Sequence, residues 1–173
     1  MELNMKYIVI INGTGGSGKD TFINFVSKYN KVYNVSSIDK VKEIATMIGW
    51  NGEKNEKNRK FLSDLKKLTT EYNDMAYNDI KEKVKNFQKS DNEIMFIHIR
   101  EPENIAIASK ELHALTLLLE RNNHALITSN YSDASVKNYD YDMIIVNDTL
   151  EKLEEDAKNF YKKLTEIKKS TPY

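Results

Sequence analysis

Short apolar runs of strand length alternate along the chain with longer segments in which apolar residues recur every three or four positions. The runs predict strands near Tyr7 to Asn12, Val32 to Ser36, Ile94 to Ile99, Ala125 to Thr128 and Met143 to Asn147. Between them the spacing predicts helices from about Gly18 to Tyr29 and from about Asp39 to Ile48. A long helical pair follows from about Lys57 to Phe87, and further helices run from about Pro102 to Arg121 and from Leu150 to Lys169. Strand followed by helix followed by strand requires crossover connections, hence a parallel sheet covered on both faces. "IMFIHI" and "MIIV", apolar at nearly every position, suit strands buried on both sides.

Length and composition narrow the picture. A chain of 173 residues fits one domain around one core, and no proline- or serine-rich linker divides it. The lysine-rich stretch of about 50–90 is expected to project as a helical segment. With 26 basic and 26 acidic residues, the chain has no overall field to draw it to nucleic acid or an anionic membrane, so an anion site must be local. The absence of cysteine removes disulfides, thiolate metal sites and cysteine nucleophiles, and fits a reducing compartment. His98, His113 and His124 are not spaced as a metal cluster. The early run "YIVII" is too short for a membrane span or a signal segment, so a cytoplasmic protein is expected.

Four of the six glycines lie in "GTGGSGKD". The spacing G-x-x-x-x-G-K begins directly after a predicted strand and ends in a predicted helix, the context that makes a phosphate-binding loop. Backbone amides from Gly13, Thr14, Gly15, Gly16, Ser17 and Gly18 would form the anion nest, and glycine supplies dihedrals that strain other residues. The following helix aims its positive end at the same place, and Lys19 adds a full charge for the terminal phosphates. Asp20 stands where a hydroxyl residue is usual. Its carboxylate could hold magnesium directly or through water, or be a plain first-turn aspartate with Thr21 as the nearest hydroxyl.

Ligands collect at the carboxyl edge of open parallel sheets, and polar residues follow each predicted strand. Asp39 and Lys42 follow the second, Arg100 and Glu101 the third, Ser129 and Asn130 the fourth, Asn147 and Asp148 the fifth. Helix capping explains Asp39, Ser129 and Asp148 equally well. Only three arginines occur, Arg59, Arg100 and Arg121. Arg100 ends a buried strand on the ligand-bearing edge and suits an anion contact, with an ion pair to Glu101 or Glu103 as the alternative. Arg59 lies off an apolar helical stripe, where charges are usually solvated. Arg121 reads as a cation complementing a helix C-terminus. His98 reads as a satisfied core histidine and Trp50 as cover for the core edge.

Taken in order, "GTGGSGKDT", "SSIDKVKEIATMIGW", "NRKFLSDL", "IHIREPENI" and "YDYDMIIVNDTLEKL" resemble the deoxynucleoside monophosphate kinases of phages and bacteria. These belong to the P-loop kinases of small phosphorylated metabolites, with dephospho-coenzyme A kinase and phosphomevalonate kinase as relatives. Phosphomevalonate kinase also has aspartate after the loop lysine. The resemblance spans roughly residues 5 to 160 and implies a P-loop NTPase fold of three α/β/α layers, with a five-stranded parallel sheet and a helical acceptor-binding insertion.

It further implies that Lys19 and the loop amides, from Gly13 to Thr21, hold the phosphates of ATP with Mg2+. Asp39, Lys42, Arg59 and Arg100 would face a small phosphorylated acceptor, most simply a nucleoside monophosphate. Lys19, Asp39 and Arg100 carry the catalytic roles and Asp20 the metal. No nucleic acid or membrane partner is implied, and a homodimer is left open. The implied lid, about 129–141, contains no arginine; Lys137 is its cation. His98 stands where the family often has aspartate. A kinase acting on a hydroxyl, with Asp39 as base, and a nucleotide-binding module without catalysis are the alternatives.

Overall fold

A computed structural model describes residues 5–121 and 135–170. Its fold is α/β with a five-stranded, all-parallel sheet and, among the described residues, seven helices. The strands are β1 (Tyr7–Asn12), β2 (Val32–Ser36), β3 (Ile94–His98), β4 (Leu115–Arg121) and β5 (Met143–Asn147). The helices are α1 (Lys19–Val26), α2 (Asp39–Met47), α3 (Glu56–Asn73), α4 (Met75–Lys89), α5 (Pro102–Glu111), α6 (Leu150–Lys158) and α7 (Phe160–Ser170). The chain divides into two compact units, one built from the described residues up to Asn34 and from Asp91 onward, the other being Val35–Ser90.

The sheet order is β2-β3-β1-β4-β5. β1 is central, paired in parallel with β3 (Tyr7 with Ile94) on one side and β4 (Asn12 with Leu118) on the other. All six of its residues are buried, as expected for a strand covered on both faces. Tyr7, Val9 and Ile11 face a core shared with Phe22, Ile23 and Val26 of α1, Leu153 and Ala157 of α6, and Phe160 and Leu164 of α7. Three phenylalanines lock it: the Phe160 ring stacks on Phe96 at 5.7 Å and meets Phe22 edge-on at 5.1 Å, geometries that aromatic quadrupoles favour. Ile8 and Ile10 point the other way and are also buried, as are Ile105 and Ala108 of α5.

Four of the five expected strands form where the apolar runs predict them. One strand forms where the pattern predicts a helix. The predicted helix from Pro102 to Arg121 ends at Glu111, and Leu115–Arg121 forms β4 instead. His113 takes a left-handed conformation, φ 49°, and the Ala114 amide donates to the Ser109 carbonyl at 3.0 Å. That is the 6→1 bond of a Schellman stop, here without the usual glycine. "ELHALTLLLER" is rich in good helix formers, so local propensity favours continuing the helix. Burial of Leu117 and Leu119 against β1 overrides it. Arg121 therefore ends a strand, and its reading as a helix C-terminal cation is corrected. The expected strand Ala125 to Thr128 lies outside the described residues, as do Ser129, Asn130 and the rest of the expected lid up to residue 134.

In the second unit, the expected long helical pair is α3 and α4, broken at Asp74, which adopts φ 53°. Asn55 caps α3, its side chain accepting the Asn58 amide. The expected helix from Leu150 to Lys169 is likewise two helices, α6 and α7, with Asn159 between them. Thr149, not Asp148, caps α6, accepting the Lys152 amide at 3.2 Å. Among the described residues no helix is long and apolar enough to cross a membrane.

Phe160 is fully buried at the centre of the aromatic cluster. Phe160→Ala should lower unfolding stability by about 3–5 kcal/mol, read from the urea midpoint of the purified variant.

Candidate phosphate-binding site

The connection from β1 leads to β2 on one side of the sheet, and that from β4 leads to β5 on the other. β1 and β4 are neighbours, so their carboxyl ends border a topological switch point, where open parallel sheets form a ligand crevice. The glycine loop follows β1 at this place. β4 runs on beyond the partner of Asn12, through Leu119 and Glu120 to Arg121, which is in register with Asn147 of β5. The loop is thus backed by two strands that extend past it.

That backing fixes which glycines are obligatory. A Cβ on Gly13 (φ 151°) would overlap the Leu119 carbonyl oxygen, and one on Gly18 (φ 98°) would overlap the side-chain nitrogen of Asn147. Asn147 is buried and donates that amide to the Ser17 carbonyl at 3.0 Å, fastening the loop to the end of β5. Gly15 has no neighbour within 4 Å of such an atom. Within the loop, the Ser17 amide donates to the Thr14 carbonyl and the Gly13 amide to Asn12 Oδ1. Among the described residues, the amides of Gly15, Gly16 and Gly18 enter no hydrogen bond.

Lys19, the first residue of α1, folds back over the loop. Its ammonium donates to the carbonyls of Gly13 at 2.6 Å and Thr14 at 3.1 Å, and to Ser17 Oγ at 3.4 Å. The charge is therefore held against the same backbone that presents the amides, at the positive end of a helix. This combination of unused amides, helix end and anchored ammonium can hold an anion with several oxygens.

Asp20 is exposed in the first turn of α1, and Thr21 is half-buried beside it. Among the described residues no three His, Asp or Glu side chains converge on one point. A single carboxylate does fit magnesium, which keeps most of its ligands as water and substrate phosphate oxygens.

The other candidate residues divide between the two units. Arg100 belongs with the glycine loop; its side chain is exposed just past β3, and its carbonyl accepts from Asn12 Nδ2 at 3.1 Å. His98 is half-buried rather than core, its Nε2 hydrogen-bonded with Asn34 Oδ1 at 2.9 Å. Lys137 is exposed and paired with Glu120 of β4 at 2.8 Å. Asp39, Lys42 and Arg59 lie in the second unit, where Lys42 and Arg59 are exposed. Asp39 does not cap α2. Its Oδ2 accepts the Ser36 amide at 2.7 Å and the Lys83 ammonium at 3.3 Å, while Lys83 also pairs with Asp79 at 2.8 Å.

Sequence reasoning passes over Asn12, Tyr141 and Lys83 and undervalues Asn147 and Arg121. Asn12 carried one legible signal, a polar residue closing an otherwise apolar run. Lys83 carried none, being one lysine of many.

No family model matches the chain, and no curated protein matches it in sequence. Among solved structures the chain is similar to TT1252 from Thermus thermophilus. The two are 12% identical, with 97% of this chain and 100% of that one covered and a TM-score of 0.51. At that identity the likeness speaks for the α/β fold alone.

Two groups tie stability to alkaline pH. Burial works against the charge on Lys83, but its hydrogen bond to Asp79 and the field of Asp39 outweigh this and raise its pKa above the ordinary 10.5. Burial raises the Tyr141 phenol above its ordinary 10.0, partly offset by the hydrogen bond from Asn12. A folded-state pKa above the unfolded value gives stability that is complete below the unfolded pKa and lost as pH climbs through the folded one. The contribution of both groups should hold up to about pH 10 and then decline, and Tyr141→Phe should make the alkaline fall shallower in urea titrations at successive pH values.

Substitutions in the loop separate architecture from binding. Gly18→Ala should cost about 1–3 kcal/mol for the left-handed backbone alone, with the overlap on Asn147 added. Gly15→Ala should leave stability within about 0.5 kcal/mol of wild type. Equal thermal shifts for the two would contradict this description of the loop.

Proposed function

We infer that the protein transfers the γ-phosphoryl group of ATP to a small phosphorylated acceptor, most simply a nucleoside or deoxynucleoside monophosphate. The observation that carries this reading is Lys19. Its ammonium is fixed on the Gly13 and Thr14 carbonyls of a loop whose Gly15, Gly16 and Gly18 amides have no partner among the described residues, at the switch point of a parallel sheet. Such a cradle matches a polyphosphate chain, and the sequence resemblance to monophosphate kinases supplies the acceptor class.

In this reading Lys19 and the open amides of the Gly13 to Thr21 loop, those of Gly15, Gly16 and Gly18 among them, hold the donor phosphates, and Asp20 is the residue that would hold magnesium. The metal, when bound, neutralises phosphate charge and orients the donor. Arg100, past the end of β3, is the acceptor anchor carried by the same unit. Asp39, Lys42 and Arg59 are the acceptor determinants carried by the second unit. An acceptor phosphate oxygen forms a bond to the γ-phosphorus as the bond to the β,γ-bridging oxygen breaks, and the electron pair leaves with ADP. Positioning and charge compensation provide the rate, because an acceptor phosphate is already anionic and needs no strong base.

Asp39 bears on the choice between a phosphate and a hydroxyl acceptor. Asp39 Oδ2 is engaged by the Ser36 amide and Lys83, which fixes the orientation of the carboxylate, while a base would have to act through Oδ1. With a phosphate acceptor, which needs no base, Asp39 serves as an organising carboxylate. Its replacement by Asn should reduce turnover by roughly tenfold rather than abolish it, because a base contributes about 10²–10⁴-fold.

The deciding experiment is ADP release measured across all ribo- and deoxyribonucleoside monophosphates with ATP and magnesium. One or a few acceptors should raise ADP release well above the ATP-only background, and Lys19→Ala should remove that signal, a loss of at least about 10²-fold. Thermal stabilisation by ATP with no acceptor turned over would instead identify a nucleotide-binding module without catalysis.

A further inference from the structure

The side chain of Asn12, fully buried at the end of β1, has each of its polar atoms engaged. Oδ1 accepts the Gly13 amide at 2.8 Å. Nδ2 donates to the Arg100 carbonyl at 3.1 Å and to the Tyr141 hydroxyl at 2.8 Å. The Tyr141 hydroxyl in turn donates to the Val136 carbonyl at 2.8 Å. A primary amide has two N–H donors, so no donor is left over. Tyr141 is buried, and burial keeps its phenol protonated, so the chain of bonds runs in one direction only.

Three stretches far apart in sequence converge on this one amide. They are the first residue of the glycine loop, the strand end that carries Arg100, and the segment leading into β5. Asn12 caps no helix, so helix capping gives no reason for an amide at the end of the central strand. Gly13 is buried and its amide is bonded to Asn12 Oδ1, so that amide cannot shift without disturbing Asn12. A fully satisfied buried network of this kind is rigid, and any partial loss leaves polar atoms uncompensated.

We propose that Asn12 and Tyr141 are positioning residues that couple occupancy of the glycine loop to the placement of Arg100 and of the segment from Val136 to Tyr141. This deepens the phosphoryl-transfer reading and rests on it. The loop senses a triphosphate through its backbone, Asn12 passes the position of the Gly13 peptide to the Arg100 carbonyl, and Tyr141 ties the approach to β5 to the same point. Neither side chain touches the reacting atoms.

The test compares wild type, Tyr141→Phe and Asn12→Asp, starting with ATP affinity by calorimetry. Tyr141→Phe removes one oxygen and keeps the ring. It should lower kcat about tenfold and raise the acceptor KM by a similar factor through misplacement of Arg100, with ATP affinity changed about twofold or less. Asn12→Asp replaces the NH2 group that donates to the Arg100 carbonyl and the Tyr141 hydroxyl with an oxygen that can only accept, and its loss should be larger. In wild type, ADP should shift the backbone NMR signals of both Arg100 and Val136; in Tyr141→Phe the Val136 response should vanish while the loop signals still move. If Tyr141→Phe only melts at a lower temperature, with kcat, acceptor KM and the Val136 response unchanged, the network is structural, the coupling is wrong and the kinase reading stands. If wild type binds no ATP, both fall together.

Discussion

The loop after β1 keeps its shape because β4 and β5 reach past the end of β1 and press against it. Gly13 and Gly18 sit where an added carbon would collide with a carbonyl of β4 and an amide at the end of β5. This contact forces glycine at both positions, holds the peptide units in left-handed conformations and leaves Gly15 and Gly16 exposed. It also reverses the usual view of such a loop as a flexible ribbon. The chain is tightly held at both ends, through Asn12 and through Asn147, and open between them. A site meant to receive phosphate benefits from that, since amides already oriented need no ordering when the anion arrives.

The same economy of placement governs the polar residues. Asn12, Thr116 and Asn147 are the buried polar side chains of the strands, and each is bonded rather than stranded. Thr116 donates both its hydroxyl and its backbone amide to the Asp142 carboxylate, pinning the start of β5 to β4. Asn12 joins the loop to the ends of β3 and of the segment before β5. An unsatisfied buried amide would cost about 1–3 kcal/mol, so these contacts align the carboxyl edge of the sheet as they satisfy themselves. Apolar packing on the Phe22, Phe96 and Phe160 side supplies the bulk of the cohesion, and the polar bonds select the geometry of the edge.

In the second unit the corresponding device is ionic. Lys83 is mostly buried between Asp39 and Asp79, and its desolvation is tolerated because two carboxylates flank it. Removing either partner from a pair of this kind costs more than the pair contributes, since the remaining charge keeps its burial without its compensation. Asp39 is for that reason a fixed element of the unit.

By itself the sequence determined the α/β alternation, the positions of β1, β2, β3 and β5, the helical pair α3 and α4, and the glycine loop with Lys19, because each rests on local periodicity or on a motif closed within eight residues. It read Leu115–Arg121 as the end of a helix, since Leu, Ala, Glu and Arg favour a helix locally and only burial of Leu117 and Leu119 beside β1 makes them a strand. With that segment read as helix, Arg121 was taken for a helix-end cation rather than a residue on the carboxyl edge. Tertiary structure alone decided the roles of Asn12, Tyr141, Asn147 and Lys83. The partners that define those roles lie between 44 and 130 residues away, and no pattern along a chain specifies which distant group a polar side chain will meet.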